Sequence, residues 1–286
     1  MVKLKLMLVP LLVVGSLLGA PALGQRNPPR CFGEEATMFA DPPGQARTFN
    51  GTPGDDVIVG STRADQIDGN GGNDLICARA GRDWIFTEDG ADKVKGGRAY
   101  DQIHTGRGPD ILRAGPSGAS SRGDDMHGGS GADLLVGSDA PDFMVGQEGD
   151  DRLIGRQGRD TLWGHRHDDV LWGGPGRDLG IYRYERGHVE INLTKGVAIQ
   201  LNATDELRSV ERILASSFAD VLIGSPGRDK FIGTKGPDEI RGRGGPDFLN
   251  GGQGDDALHG GEGVDRLGGG EGIDSCFGGE TETGCE

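Results

Sequence analysis

From Gly51 onward one aspartate returns every nine residues, and that spacing restricts the chain to a stack of short, near-identical coils. The first run is Asp56, Asp65, Asp74, Asp83, Asp92, Asp101 and Asp110. A second is Asp124, Asp133, Asp142, Asp151, Asp160, Asp169 and Asp178, and a third is Asp220, Asp229, Asp238, Asp247, Asp256, Asp265 and Asp274. Arg, Pro, Asn and Ala vary around the aspartate, which itself does not, so the architecture depends on that position.

Glycine supplies 55 of 286 residues and aromatics 5%, a composition that by itself favours a disordered tract. The residue two after each aspartate argues otherwise. It reads Ile58, Ile67, Ile76, Ile85, Val94, Ile103 and Leu112, then Met126 to Leu171 and Leu222 to Leu267 in the same phase, failing only at Gly180 and Cys276 where runs end. A disordered polar tract has no reason to keep that phase, whereas a thin core of one apolar residue per unit requires it.

The opening residues carry Lys3 and Lys5, an apolar stretch from Leu6 to Leu18 and the small-residue site Ala22-Leu23-Gly24, the pattern of a cleaved secretory leader. Its apolar stretch of about 13 residues is short of the roughly 20 that span a bilayer, so no membrane span is expected. The net charge of −15 becomes more negative without the leader and disfavours nucleic acid as a partner. Four cysteines in an exported chain suggest two disulfides, with three possible pairings. Cys31 with Cys77 and Cys276 with Cys285 is preferred, because these bonds staple the two ends of a stack.

A unit such as Gly69 to Cys77 divides into a six-residue turn and a three-residue strand whose middle residue, Ile76, points inward. Two units make one coil, so aspartates of units n and n+2 stack about 4.8 Å apart. Unpaired carboxylates at that spacing repel each other. A divalent cation between them, with turn carbonyls completing an all-oxygen shell, removes the repulsion, and calcium suits such a shell. Magnesium demands tighter octahedral geometry, and zinc or copper want His or thiolate donors that these turns lack. Aspartate as a mere turn former explains one or two such positions but not the whole register.

These units resemble the glycine-rich nonapeptide repeats (GGxGxDxUx) of the RTX, or haemolysin-type calcium-binding, family. Gly251-Gly-Gln-Gly-Asp-Asp256-Ala-Leu258-His259 and Gly128-Gly-Ser-Gly-Ala-Asp133-Leu-Leu135-Val136 match at every specified position. The resemblance implies an all-β fold, a right-handed parallel β-roll with several calcium ions in the turns. It implies as metal ligands the 21 ladder aspartates and turn carbonyls such as those at Gly69, Gly71 and Gly72, Gly128, Gly129 and Gly131, and Gly251, Gly252 and Gly254. Three turns depart from the pattern, at Ser61 to Ala64, Thr87-Glu88 and His165 to His167, and weak or absent calcium is expected there. The N-terminal leader, in place of the family's usual C-terminal signal, implies the general secretory route.

The expected organisation is a leader over 1–24, a cap segment over 25–50, and a repeat block over 51–181 with a loop insert at 114–118. An insert over 182–214, a block over 215–277 and a stapled cap over 278–286 follow. Within the insert, Val189, Ile191 and Leu193, then Val197, Ala198, Ile199 and Leu201, flank a Thr194-Lys-Gly196 turn and predict a β-hairpin, and Val210 to Leu214 leads back into the roll.

For catalysis the sequence offers little. It has no His-Glu-x-x-His and no placeable Ser-His-Asp set. His104, His127, His165, His167, His188 and His259 read as surface residues, with His165-Arg-His167 a weak transition-metal candidate. Trp84, Trp163 and Trp172 flank inward positions and are expected to close the core or line an edge. Arg122-Gly123-Asp124 spells an integrin-binding tripeptide, but Asp124 lies in the ladder phase. The reading is a secreted, non-catalytic calcium-binding protein. Its rivals are a calcium-rigidified adhesin or matrix protein with a cell-surface or glycan partner, and a polysaccharide-modifying enzyme, for which Tyr182, Arg183 and Tyr184 are the only hint.

Overall fold

The computed structural model describes residues 28–40, 43–116 and 122–285; the expected leader, residues 1–24, and residues 117–118 of the expected loop insert lie outside them. Every regular element among the described residues is a strand. Strands alternate between two long sheets, one of 13 strands and one of 15, so each coil of the chain gives one strand to either sheet. This is a parallel β-solenoid, as the nine-residue period requires.

Register follows the sequence period. Ile58 pairs with Ile76 and Ile76 with Val94 in one sheet, while Ile67 pairs with Ile85 and Ile85 with Ile103 in the other, each step being eighteen residues. Between Ile103 and Met126, and between Leu112 and Leu135, the step lengthens to twenty-three and the parallel pairing continues. The middle residue of almost every strand is fully buried and its neighbours are not, as in Leu75–Cys77 and Leu134–Val136. These middle residues form one continuous core from Ala40 to Leu267.

Pairing begins before Gly51. Met38–Phe39 pairs with the Ile58 strand and Thr48–Asn50 with the Ile67 strand. Upstream, Arg30–Cys31 and Glu34–Glu35 form a small hairpin. It buries Cys31 and Ala36 against Val59, with Phe32, Phe39 and Leu75 around them, in a second cluster. Cys31–Cys77 and Cys276–Cys285 are both disulfide-bonded, each with Cα atoms 5.7 Å apart.

The insert is built into the stack. Glu190–Asn192 and Val197–Ile199 form the expected antiparallel hairpin, and Val197–Ile199 also pairs antiparallel with Thr204–Arg208. Parallel pairing then resumes through Glu190 opposite Val221. In the other sheet, Leu179–Ile181 passes directly to Arg212–Leu214. Ala198 is the buried residue of the second hairpin strand, while Ile199 and Leu201 are exposed at 46% and 65%. Gly180 interrupts the aliphatic stripe for a packing reason. Tyr182 is buried beside it, and a Cβ at Gly180 would meet Ile213, Tyr182 and Val210 at 3.2–3.5 Å.

Candidate metal centre

All 21 ladder aspartates are buried. They stand at the entry to each strand, where the chain turns from the glycine-rich segment into the sheet, and they form two files, one along each side of the roll. The Oδ1 atom of nearly every member accepts the backbone N–H of the acid one coil earlier. Asp74 takes the amide of Asp56 at 2.9 Å, Asp92 that of Asp74 at 2.7 Å and Asp256 that of Asp238 at 2.8 Å. The carboxylate therefore zips one coil to the next before any ion is considered.

The insert and the C-terminus carry the files onward with residues the nine-residue count misses. Asp205 accepts the Asp169 amide, Glu211 the Asp178 amide and Glu280 the Asp265 amide. Asp205-Glu-Leu207 and Glu211-Arg-Ile213 keep the acid-x-aliphatic couple, a signal that could have found the first two.

What happens at Oδ2 divides the aspartates. In sixteen of them, Asp74, Asp83, Asp92, Asp101, Asp110, Asp124, Asp133, Asp151, Asp160, Asp169, Asp178, Asp238, Asp247, Asp256, Asp265 and Asp274, this oxygen is buried and has no hydrogen-bond partner. A buried carboxylate oxygen without a donor is costly to keep charged. Burial accordingly pushes the carboxyls of Asp74, Asp83, Asp110 and Asp151 up to about 7 and that of Asp101 up to about 9, against the lowering effect of the amide. At Asp169, burial and then the charge of Asp205 raise it to about 9.

The turns are shaped around this oxygen. A Cβ on Gly69, Gly128 or Gly251 would collide with Oδ2 of Asp74, Asp133 or Asp256. Gly72, Gly129, Gly131, Gly252 and Gly254 have positive φ and would strike the backbone of the adjacent coil, and Gly71 lies close to Asp89 O. The donor set is hard oxygen, from acids stacked in file and turn backbone packed against turn backbone, which fits calcium. Among the described residues no three His, Cys, Asp or Glu side chains converge as a metal cluster, so carbonyls must supply most of any shell.

Two of the three departing turns join the unpartnered class. Asp92, after Thr87-Glu88, and Asp169, after His165 to His167, both have a free Oδ2, so those turns keep the geometry of the glycine-rich ones. At Asp65, Ser61 fills the position instead.

The remaining candidates resolve differently. Asp124 of the Arg-Gly-Asp string is buried, and Arg122 lies over the Tyr100 ring at 4.1 Å, so the tripeptide is folded into the wall of the roll. His104 and His127 stack at 4.4 Å in a column with Phe86, and His165 stacks on Trp163, so these histidines pack against rings on the outer sheet face. His167 Nδ1 accepts the Gly149 amide. Trp84 and Trp172 are exposed at 52% and 42% and stand outside the core. Tyr182 donates to Asp205 Oδ2 at 2.9 Å, and Gln200 donates to the same oxygen at 2.8 Å, while Tyr184 is exposed.

The sequence profile of the RTX calcium-binding nonapeptide repeat (4 copies) matches residues 50–85, 86–116, 119–153, 127–162, 145–179, 210–240 and 241–276, more than half of the chain. No curated protein matches it.

Proposed function

The chain belongs to the RTX calcium-binding nonapeptide-repeat family, whose repeats bind calcium in a β-roll, and on that premise we propose a secreted, non-catalytic protein that completes its folding on taking up several calcium ions. The observation that carries the reading is the set of sixteen buried Oδ2 atoms without a hydrogen-bond donor. Bound calcium supplies positive charge to these carboxylates. The ladder aspartates and turn carbonyls would hold it, and the glycines at positions such as 69, 72, 251 and 254 keep side chains out of the space beside the carboxylates.

Binding and folding are one process in this reading, because the acids of a file are brought together only when coils stack. Affinities of roughly 10⁻⁴ to 10⁻³ M suit an extracellular module. Two disulfides support an oxidising compartment, as does the N-terminal leader pattern. Absence of catalysis is supported by the placement of the acids, which are engaged with backbone amides along the files.

The test is a calcium titration from excess chelator, following bound ions by calorimetry and β-structure by circular dichroism. The expected result is a joint rise of β signal and bound calcium to several ions per chain. Full β structure in chelator, with no ions taken up afterwards, overturns the proposal.

A further inference from the structure

The five aspartates outside the unpartnered class share one local device. In each, the residue four before the acid is Ser or Thr. Its backbone N–H donates to Oδ2: Thr52 to Asp56 at 2.6 Å, Ser61 to Asp65 at 2.6 Å, Ser138 to Asp142 at 2.5 Å, Ser216 to Asp220 at 2.8 Å and Ser225 to Asp229 at 2.6 Å. The hydroxyl donates to the same carboxylate in all five, at 2.7–3.1 Å. It also accepts the N–H two residues before the acid, at 3.0–3.3 Å. At Asp65, Asp142, Asp220 and Asp229 both carboxylate oxygens are thus satisfied inside one turn, and at Asp56 the Thr52 amide and hydroxyl share Oδ2 while the Thr37 hydroxyl donates to Oδ1.

Backbone conformation separates the same two classes. In fourteen of the sixteen unpartnered turns the residue four before the acid has positive φ, from 62° at Asn70 to 117° at Gly97, including non-glycines Arg79, Glu88, Gln147, Arg156, His165, Thr234 and Arg243; Gly106, before Asp110, does not, and Ser120, before Asp124, lies outside the described residues. None of the five Ser/Thr residues has positive φ. Left-handed φ is unfavourable for a β-branched or bulky residue, so the open turn is kept where something other than the turn's own amide satisfies the acid. In a capped turn, amide and hydroxyl hydrogens point at the carboxylate and occupy the lone pairs a cation needs.

Position along the chain gives the device a role. Asp56 and Asp65 are the first acid of either file, and Asp220 and Asp229 are the first ladder pair after the insert. Each pair makes one coil capped on both sides. The first is tied by the Cys31–Cys77 disulfide, and the second adjoins the insert core of Tyr182, Ile191, Ile213 and Leu222, where Tyr182 and Gln200 satisfy Asp205.

We propose that the hydroxyl-capped turns hold no calcium, and that their two paired coils are calcium-independent starts onto which the open, calcium-holding coils are added. The proposal rests on calcium being held by the open turns. In the ion-free chain the start coils persist as folded islands, and the open coils beyond each of them order only as their acids are neutralised.

Hydrogen exchange on the full chain with disulfides intact tests this. In excess chelator, amides of Val57–Val59, Gln66–Asp68 and Val221–Ile223 are expected to exchange roughly tenfold or more slowly than those of Phe248–Gln253 and Ala257–Glu262. Calcium removes the difference. The double variant Ser216→Ala/Ser225→Ala is expected to lose the protection of Val221–Ile223 in chelator while binding as many calcium ions as the parent when loaded. Equal exchange of capped and open coils in chelator overturns the sorting of turns alone, as does a fall in calcium count in the double variant. Protection of all coils in chelator overturns the calcium reading beneath it as well.

Discussion

The aspartate of each unit has two oxygens with different duties. Oδ1 accepts an amide of the preceding coil at every unit but Asp56 and Asp229, and Oδ2 records what the turn contains. This makes the neighbouring glycines unequal. Gly251, five before its acid, sits where a Cβ would collide with Oδ2 of Asp256, as Gly224 does at Asp229, whereas two before the acid the classes part: a Cβ on Gly254 would strike Gly236 O, while the nearest atom to one on Gly227, in a capped turn, is Ser225 Oγ at 3.5 Å. Gly251→Ala is therefore expected to destabilise the calcium-loaded protein by about 1–3 kcal/mol and to weaken calcium binding, since the carboxylate must move. Gly227→Ala is expected to stay within about 0.5 kcal/mol. Urea unfolding of both variants in saturating calcium checks the pair. The aspartate and glycine phase was legible in the sequence because it repeats. The Ser/Thr cap was not, because it occurs at only a few units, and Ser61 looked like one degenerate turn among three until its hydrogen bonds set it apart from Thr87-Glu88 and His165 to His167.

Strands and turns were legible for a related reason: each unit is short enough that its inward residue follows from alternation alone, and the hairpin across Thr194 to Gly196 follows the same rule. The sequence stopped being informative where an element packs by shape. Gly180 reads as a missing core residue, yet the ring of Tyr182 occupies that part of the core. The hydroxyl of Tyr182 then reaches Asp205, which continues the file across the insert by accepting the Asp169 amide. Tyr182→Phe keeps the ring and removes one donor to a buried carboxylate. The expected cost is about 1–3 kcal/mol in denaturant unfolding, the range for leaving a buried acceptor short of a partner. Because Gln200 also donates to that oxygen, Tyr182→Phe with Gln200→Leu is expected to cost more than either change alone, and simple additivity would show that the two donors act independently.

At the scale of the whole molecule the roll is close to one-dimensional: each coil touches the coils before and after it, and stability is a sum of neighbour terms that is weakest at the ends. The two ends are finished differently. At the N-terminal end a hairpin lies over the first coils and buries Cys31, Ala36 and Val59. At the C-terminal end Val264, Ile273 and Phe277 are exposed at 62–67%, and the last strand, Thr281–Thr283, has no buried residue. The Cys276–Cys285 bond is the covalent restraint on that end. In the loop-entropy model a separation of 9 residues contributes about 2.6 kcal/mol and one of 46 about 4 kcal/mol, so the C-terminal bond adds less to overall stability while guarding the more exposed end. Replacing Cys276 and Cys285 by serine is thus expected to speed amide exchange in Ser275–Phe277 and Thr281–Thr283 in saturating calcium and to leave Arg152–Ile154 at the parent rate. Replacing Cys31 and Cys77 is expected to lower the unfolding midpoint further. If losing the C-terminal pair instead loosened every coil equally, the roll would be a single cooperative unit, and opening from its ends would have to be abandoned.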